Sequence, residues 1–101
     1  MLMLMEVRFE DRKLERLETD PSFSAGFAAN LVKAFRNRMN FIRQAVDERA
    51  LYAMKSWHFE KLSGNRAGQH SIRLNDQFRL IIRVERVAVK TVVIVELVDY
   101  H

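Results

Sequence analysis

Residues 69 to 83 read Gln-His-Ser-Ile-Arg-Leu-Asn-Asp-Gln-Phe-Arg-Leu-Ile-Ile-Arg, and the register of this stretch decides the fold. In an extended chain Ile72 and Leu74 share one face and Ser71 and Arg73 the other. Past Asn75-Asp76-Gln77, Phe78, Leu80 and Ile82 share a face, with Arg79, Ile81 and Arg83 opposite. Both apolar sets reach the same side only across a loop with an odd number of residues, because a one-residue slip turns a whole strand over. A three-residue loop, Asn75-Asp76-Gln77, meets that condition. The expected hairpin has strands at 69–74 and 78–85, Leu74 across from Phe78, and Arg73 directly across from Arg79. Like charges facing across two strands cost about 0.2 to 1 kcal/mol. Folding does not require that arrangement. An anion held between the two planar guanidiniums would turn the repulsion into binding, and Gln69, Ser71 and Arg83 extend the same face. The alternative is that these arginines are solvated, or paired with acids that the fold brings in.

On the C-terminal side, residues 91–98 are apolar on both faces apart from Glu96, as in a central strand covered on both sides. On the N-terminal side, Trp57, Phe59 and Leu62 flank a short strand-like segment, and Ser63-Gly64-Asn65-Arg66-Ala67-Gly68 is a loop. Earlier still, Phe27, Leu31, Phe35, Met39, Ile42 and Val46 recur at steps of three and four, the apolar stripe of one long helix. Its other side carries Lys33, Arg36, Asn37, Asn40, Arg43 and Gln44, a basic, amide-rich stripe that is either a solvated face or an anion-binding one. Leu14 and Leu17 indicate a marginal helix stopped at Thr19-Asp20-Pro21-Ser22, since the residue before a proline is pushed out of helical geometry. Met5, Val7 and Phe9 alternate with charged residues as a half-buried strand. Strand, two helices and then three or four strands make an α+β fold, one sheet with helices packed on one side.

A chain of 101 residues supports one domain, expected to span residues 1–101. Apolar residues at 49% and charged residues at 30% suit a folded core under a solvated surface, and three glycines and one proline exclude collagen-like and linker-like readings. The absence of cysteine excludes a disulfide framework, a thiolate nucleophile and cysteine-ligated zinc. The net charge of +4 belongs to the middle and later chain: residues 23–50 carry five basic and two acidic side chains, residues 61–86 six and two. The opening Met-Leu-Met-Leu-Met is followed at once by Glu6 and reads as the approach to a strand, not as a signal peptide or membrane span. The expected compartment is the cytoplasm. His58, His70 and His101 are scattered and lack acidic partners at ligand spacing, so no metal site and no cofactor is expected.

The chain ends in Asp99-Tyr100-His101. One reading is a frayed polar tail. The other is a cluster of acid, phenol and imidazole suited to general acid–base work, with Asp99 and His101 on one strand face and Tyr100 on the other. Residues 61–80, with the run Gly64-Asn65-Arg66-Ala67-Gly68 and the spaced arginines, together with residues 95–101, resemble the HigB toxins of the RelE/ParE toxin–antitoxin superfamily.

The resemblance implies a small antiparallel-rich sheet packed against two helices in the order β-α-α-β-β-β. It also implies a metal-independent endoribonuclease, an mRNA interferase that cuts messages on the translating ribosome and is neutralised by a HigA-like helix-turn-helix antitoxin. By position, Asp99, Tyr100 and His101 match the family's C-terminal catalytic residues and Arg79 its sheet arginine. The family's histidine before the loop is Glu60 here, with His58 one strand period earlier and so on the same face. Its lysine before the loop glycine is Ser63, with Lys61 two residues back. The expected roles are His101 as general acid or base, Glu60 or His58 as its counterpart, Arg79 and Arg73 on the transition-state charge, Tyr100 orienting the nucleotide and Asp99 positioning a neighbour. Further RNA contacts are expected from Lys61, Arg66 and Arg83, and from Lys33, Arg36 and Arg43 on ribosomal RNA. Two other functions fit the same fold: a ParE-like inhibitor of DNA gyrase, and a nucleic-acid-binding module without chemistry.

Overall fold

A computed structural model describes residues 3–86 and 88–100. The chain begins with strand β1 (Glu6–Phe9), followed by helices α1 (Arg12–Thr19), α2 (Ala29–Gln44) and α3 (Arg49–Ala53). Strands β2 (Glu60–Lys61), β3 (His70–Arg73), β4 (Phe78–Arg86) and β5 (Lys90–Asp99) complete it. The sheet order is β1-β5-β4-β3-β2, with β1 parallel to β5 and every other pair antiparallel.

α1 is short, and two features fix it. The Asp11 side chain accepts from the Lys13 N–H at 2.8 Å as an N-cap, and Leu14 and Leu17 are buried. The helix stops at Asp20, whose carboxylate folds back to accept from the Ser22 N–H at 3.0 Å and hydroxyl at 2.7 Å. α2 buries Leu31, Val32, Phe35, Met39 and Ile42. The ends of the expected stripe fall outside the helix. Phe27 precedes it and packs edge-on against Phe78, with ring centroids 6.3 Å apart. Val46 follows it and is exposed. The helix closes there because Ala45 turns extended and its carbonyl accepts from the Met5 N–H at 3.0 Å, tying the helix end to the start of β1.

The sequence implied two helices; α3 is an addition. Its five residues have one buried anchor, Leu51, too little for a periodic signal.

The hairpin has the expected register. Arg73 pairs with Arg79, Ile72 with Leu80, and the Leu74 N–H donates to the Phe78 carbonyl at 3.0 Å. The Asn75 side chain closes the loop by accepting from the N–H groups of Gln77 (2.9 Å) and Phe78 (2.8 Å). Ile72, Leu74, Leu80, Ile82, Val92 and Ile94 join the buried α2 residues in one core, which puts the helices on that face of the sheet. β5 lies inside the sheet as expected, and its pairing with β4 slips between Ile81 and Ile82. Ile81 pairs with Glu96 and Ile82 with Ile94, so Val95 is an extra residue, a β-bulge. The bulge returns Leu97 to the helix side opposite Leu80 and sends Glu96 to the outer face opposite Ile81.

Candidate active site

On the outer face, near the C-terminal end of β5, His58, Glu60, Leu62, Ser71, Arg73, Arg79 and Tyr100 line a cavity of about 250 Å³. Each wall has a local cause. β2 and β3 pair Glu60 with Ser71, and β3 and β4 pair Arg73 with Arg79, so these four side chains share the face that alternation turns away from the helices. Tyr100 reaches the same face through the bulge. Without the extra Val95, unbroken alternation from Ile94 would carry position 100 to the helix side. Instead the Tyr100 ring centroid lies 5.1 Å from the Arg79 guanidinium carbon, and its N–H donates to the Gln77 carbonyl at 2.5 Å.

His58 arrives by a route that strand periodicity does not describe. It ends the 3-10 turn Lys55–Trp57 with φ of +46°, in the left-handed region, and the strand starts only at Glu60. That reversal lets Trp57 stay buried while the next side chain lines the cavity.

The two opposed guanidiniums converge on one oxygen. Arg79 Nη1 donates to the Asn75 carbonyl at 2.8 Å and to the Phe78 carbonyl at 3.2 Å. Arg73 Nε donates to the same Asn75 carbonyl at 3.3 Å, and its Nη2 to the Asp76 carboxylate. Beneath them Arg38 fixes the backbone of β3. Its Nε and Nη2 donate to the Arg73 carbonyl at 3.2 and 3.0 Å, and its guanidinium stacks 4.4 Å from the Trp57 ring centroid. Burial lowers the Arg38 pKa from its usual value.

The other sequence-derived candidates lie elsewhere. Arg66 donates to the Glu96 carboxylate and to Gln69 Oε1 (3.0 Å), latching its loop to β5. Arg83 donates to Glu10 at 2.9 Å and Glu85 at 3.0 Å, and those bonds, Glu10 first, raise its pKa. Arg36 donates to the carbonyls of Leu17, Asp20 and Phe23 at 2.9, 3.0 and 3.0 Å, and Arg43 makes a two-pronged pair with Glu18 at 2.5 and 2.7 Å. Lys33 is exposed on α2. Lys61 is exposed and pairs with His70, on the opposite face from Glu60. Asp99 pairs with Phe78 on the helix side and accepts from Gln77 Nε2 at 3.0 Å. His101 lies outside the described residues.

Sequence reasoning missed Arg38, the bridging Asn75 carbonyl and the Val95 bulge. Arg38 stands on α2 between the buried Phe35 and Met39, and that placement was the available signal. Chemically, the cavity joins two cationic forks able to hold a phosphate, a carboxylate and an imidazole able to move a proton, and the faces of Leu62 and Tyr100 for a base. Among the described residues, no three His, Asp or Glu side chains gather as metal ligands, and no helix is long and apolar enough to cross a membrane.

Residues 7–101 match the family described as the RelE-like toxin of type II toxin-antitoxin system HigB. The chain is similar to Toxin HigB-1 of Vibrio cholerae, at 32% identity over 88 residues, covering 86% of this chain and 93% of that one. In fold it is similar to the YoeB-YefM complex from Staphylococcus aureus, with a TM-score of 0.60 and 19% identity over 98% of this chain and 99% of that one. It is also similar to the YoeB/ParE toxin from Agrobacterium tumefaciens, with a TM-score of 0.56 and 17% identity over 96% and 99%. The toxin-antitoxin complex RelBE2 from Mycobacterium tuberculosis follows at 0.51 and 20% over 98% and 100%.

Proposed function

The chain belongs to the HigB-like family of RelE-type toxins of type II toxin–antitoxin systems, and from that premise we propose that it is a ribosome-dependent mRNA endoribonuclease acting in the cytoplasm. One observation carries the reading: Arg73 and Arg79 face each other in one cavity with Glu60, His58 and Tyr100. RNA can be cut without a metal when its own 2′-hydroxyl attacks the adjacent phosphorus, given a base, an acid and positive charge on the crowded phosphate. In this assignment Glu60 or His58 takes the 2′-hydroxyl proton, and Arg79 and Arg73 hold the phosphate as its charge grows. Tyr100 stacks on or orients a base, and Asp99 positions a neighbour. His101, by family resemblance, is the partner acid or base. The proposed partners are the ribosome with its message and a HigA-like antitoxin. The Mycobacterium tuberculosis structure of like fold, a toxin-antitoxin complex, and the Staphylococcus aureus one, a YoeB-YefM complex, support a protein partner of the antitoxin kind. Lys33, exposed on α2, is a candidate for a phosphate contact on ribosomal RNA, and Lys61, also exposed, for a further contact to the bound RNA.

The test is a purified translation system with a defined message. The expected outcome is fragments ending in a 2′,3′-cyclic phosphate or its opened 3′-phosphate, formed only while ribosomes engage the message. An intact message overturns the proposal, and gyrase inhibition alongside it would favour the ParE-like alternative.

A further inference from the structure

The tip of the β3–β4 hairpin already presents oxygens to the two guanidiniums. The Asn75 carbonyl accepts from both, and the Asp76 carboxylate accepts from Arg73 Nη2. These oxygens offset the repulsion that the Arg73–Arg79 register creates, and they occupy donors of two arginines that line the cavity, donors that an incoming anion would need. The two acceptors differ in mobility. The Asn75 carbonyl is backbone, fixed by the side chain of the same residue through the N–H groups of Gln77 and Phe78. The Asp76 side chain is 96% exposed, against 33% for Arg73. Among the described residues, its only hydrogen bond is to Arg73. The loop therefore keeps its shape without this carboxylate, which is free to swing into solvent.

We propose that Asp76 is a resident stand-in for a phosphate, holding the Arg73 guanidinium over the cavity and setting the affinity of the site by competing with the RNA backbone for it. The proposal rests on the function above only in taking the incoming anion to be an RNA phosphate. It makes Asp76 a restraint on binding, so its removal tightens the complex, whereas loss of an ordinary surface ion pair would leave affinity untouched.

The test is fluorescence anisotropy of a labelled single-stranded RNA with 2′-O-methyl riboses, whose 2′-oxygen cannot attack, titrated at low salt with the full chain. Asp76→Asn is expected to bind about two- to fivefold more tightly than wild type, the factor that an exposed ion pair is worth. Glu15→Gln makes the same change in net charge on the exposed face of α1 and is expected to bind as wild type does. In an Arg73→Gln background the gain from Asp76→Asn is expected to vanish. An unchanged or weaker Asp76→Asn complex, an equal gain from Glu15→Gln, a gain that persists without Arg73, or no binding by any form overturns the proposal. If Asp76→Asn binds tighter while wild-type protein leaves ribosome-bound messages whole, the nuclease reading fails and this one stands; the converse result separates them the other way.

Discussion

Arg36 on α2 and Arg79 on β4 are both partly buried, and both give their guanidiniums to backbone carbonyls. Arg36 spends Nε and Nη2 on three carbonyls, Leu17 in the last turn of α1 and Asp20 and Phe23 in the segment after it. Arg79 uses Nη1 alone, for two carbonyls at the hairpin tip, and sits beside the cavity and the Tyr100 ring. The difference lies in what surrounds them. Pro21 has no N–H to give the Leu17 carbonyl, and the chain after α1 is irregular, so an arginine beside it becomes a structural clamp. The outer face of the sheet has its backbone bonds satisfied within the ladder, so Arg79, standing on it, keeps donors for a ligand, whereas Arg83 on the same face gives its own to Glu10 and Glu85. Basic stripes that look alike in sequence therefore divide by whether the neighbouring backbone needs them.

That division can be sharpened where the largest effect is expected. Glu60→Gln and His58→Gln separate the two candidate bases on the sheet face. In single-turnover cleavage of a ribosome-bound message, the residue that takes the proton should lower the rate about 10²- to 10⁴-fold, and the other should change it little. On the α2 side, Arg36→Ala removes three hydrogen bonds, leaving the Asp20 carbonyl only its bond from the Phe23 N–H, and should cost about 1–3 kcal/mol in urea unfolding, while the folded fraction cuts at the wild-type rate. A loss of cleavage without a loss of stability in Arg36→Ala would break the comparison.

A subtler probe is pH. His70 stacks on Phe59 with ring centroids 4.6 Å apart, its Nδ1 is buried without a partner, and burial and then Lys61 lower its pKa from 6.5. The unfolded chain then binds a proton that the folded chain refuses. Stability is fully present above pH 6.5 and falls as the pH drops through and below it. The melting temperature should decline over that window, and His70→Gln should flatten this part of the decline. The smallest effect is expected at Arg43→Ala, where loss of the Glu18 pair should cost about 0.2–1 kcal/mol and leave cleavage unchanged.

The register of the hairpin was legible because it follows from two apolar sets and one parity condition, and Arg73 opposite Arg79 came out as read. The α2 stripe was legible through Leu31, Phe35, Met39 and Ile42. Its ends were not, since the Met5 N–H that accompanies the helix stop comes from residues far away in sequence. The same holds for Arg36 and Arg43, whose partners on and after α1 no local pattern announces. Within the cavity, Glu60 and His58 were grouped by strand period. They do line one cavity, but a left-handed turn brings His58 there. Alternation also separated Tyr100 from Asp99; the side that Tyr100 takes depends on a bulge at Val95, which an unbroken Val-Val-Ile-Val run conceals.

The most direct test of the central claim, that the outer-face arginine pair is where RNA is cut, is primer extension across one defined message translated with wild-type protein and with Arg79→Ala at equal folded concentration. Discrete stops with wild type, reduced at least about a hundredfold with Arg79→Ala while the melting curve is unmoved, is the predicted result. The same stops at the same intensity from both proteins would contradict it.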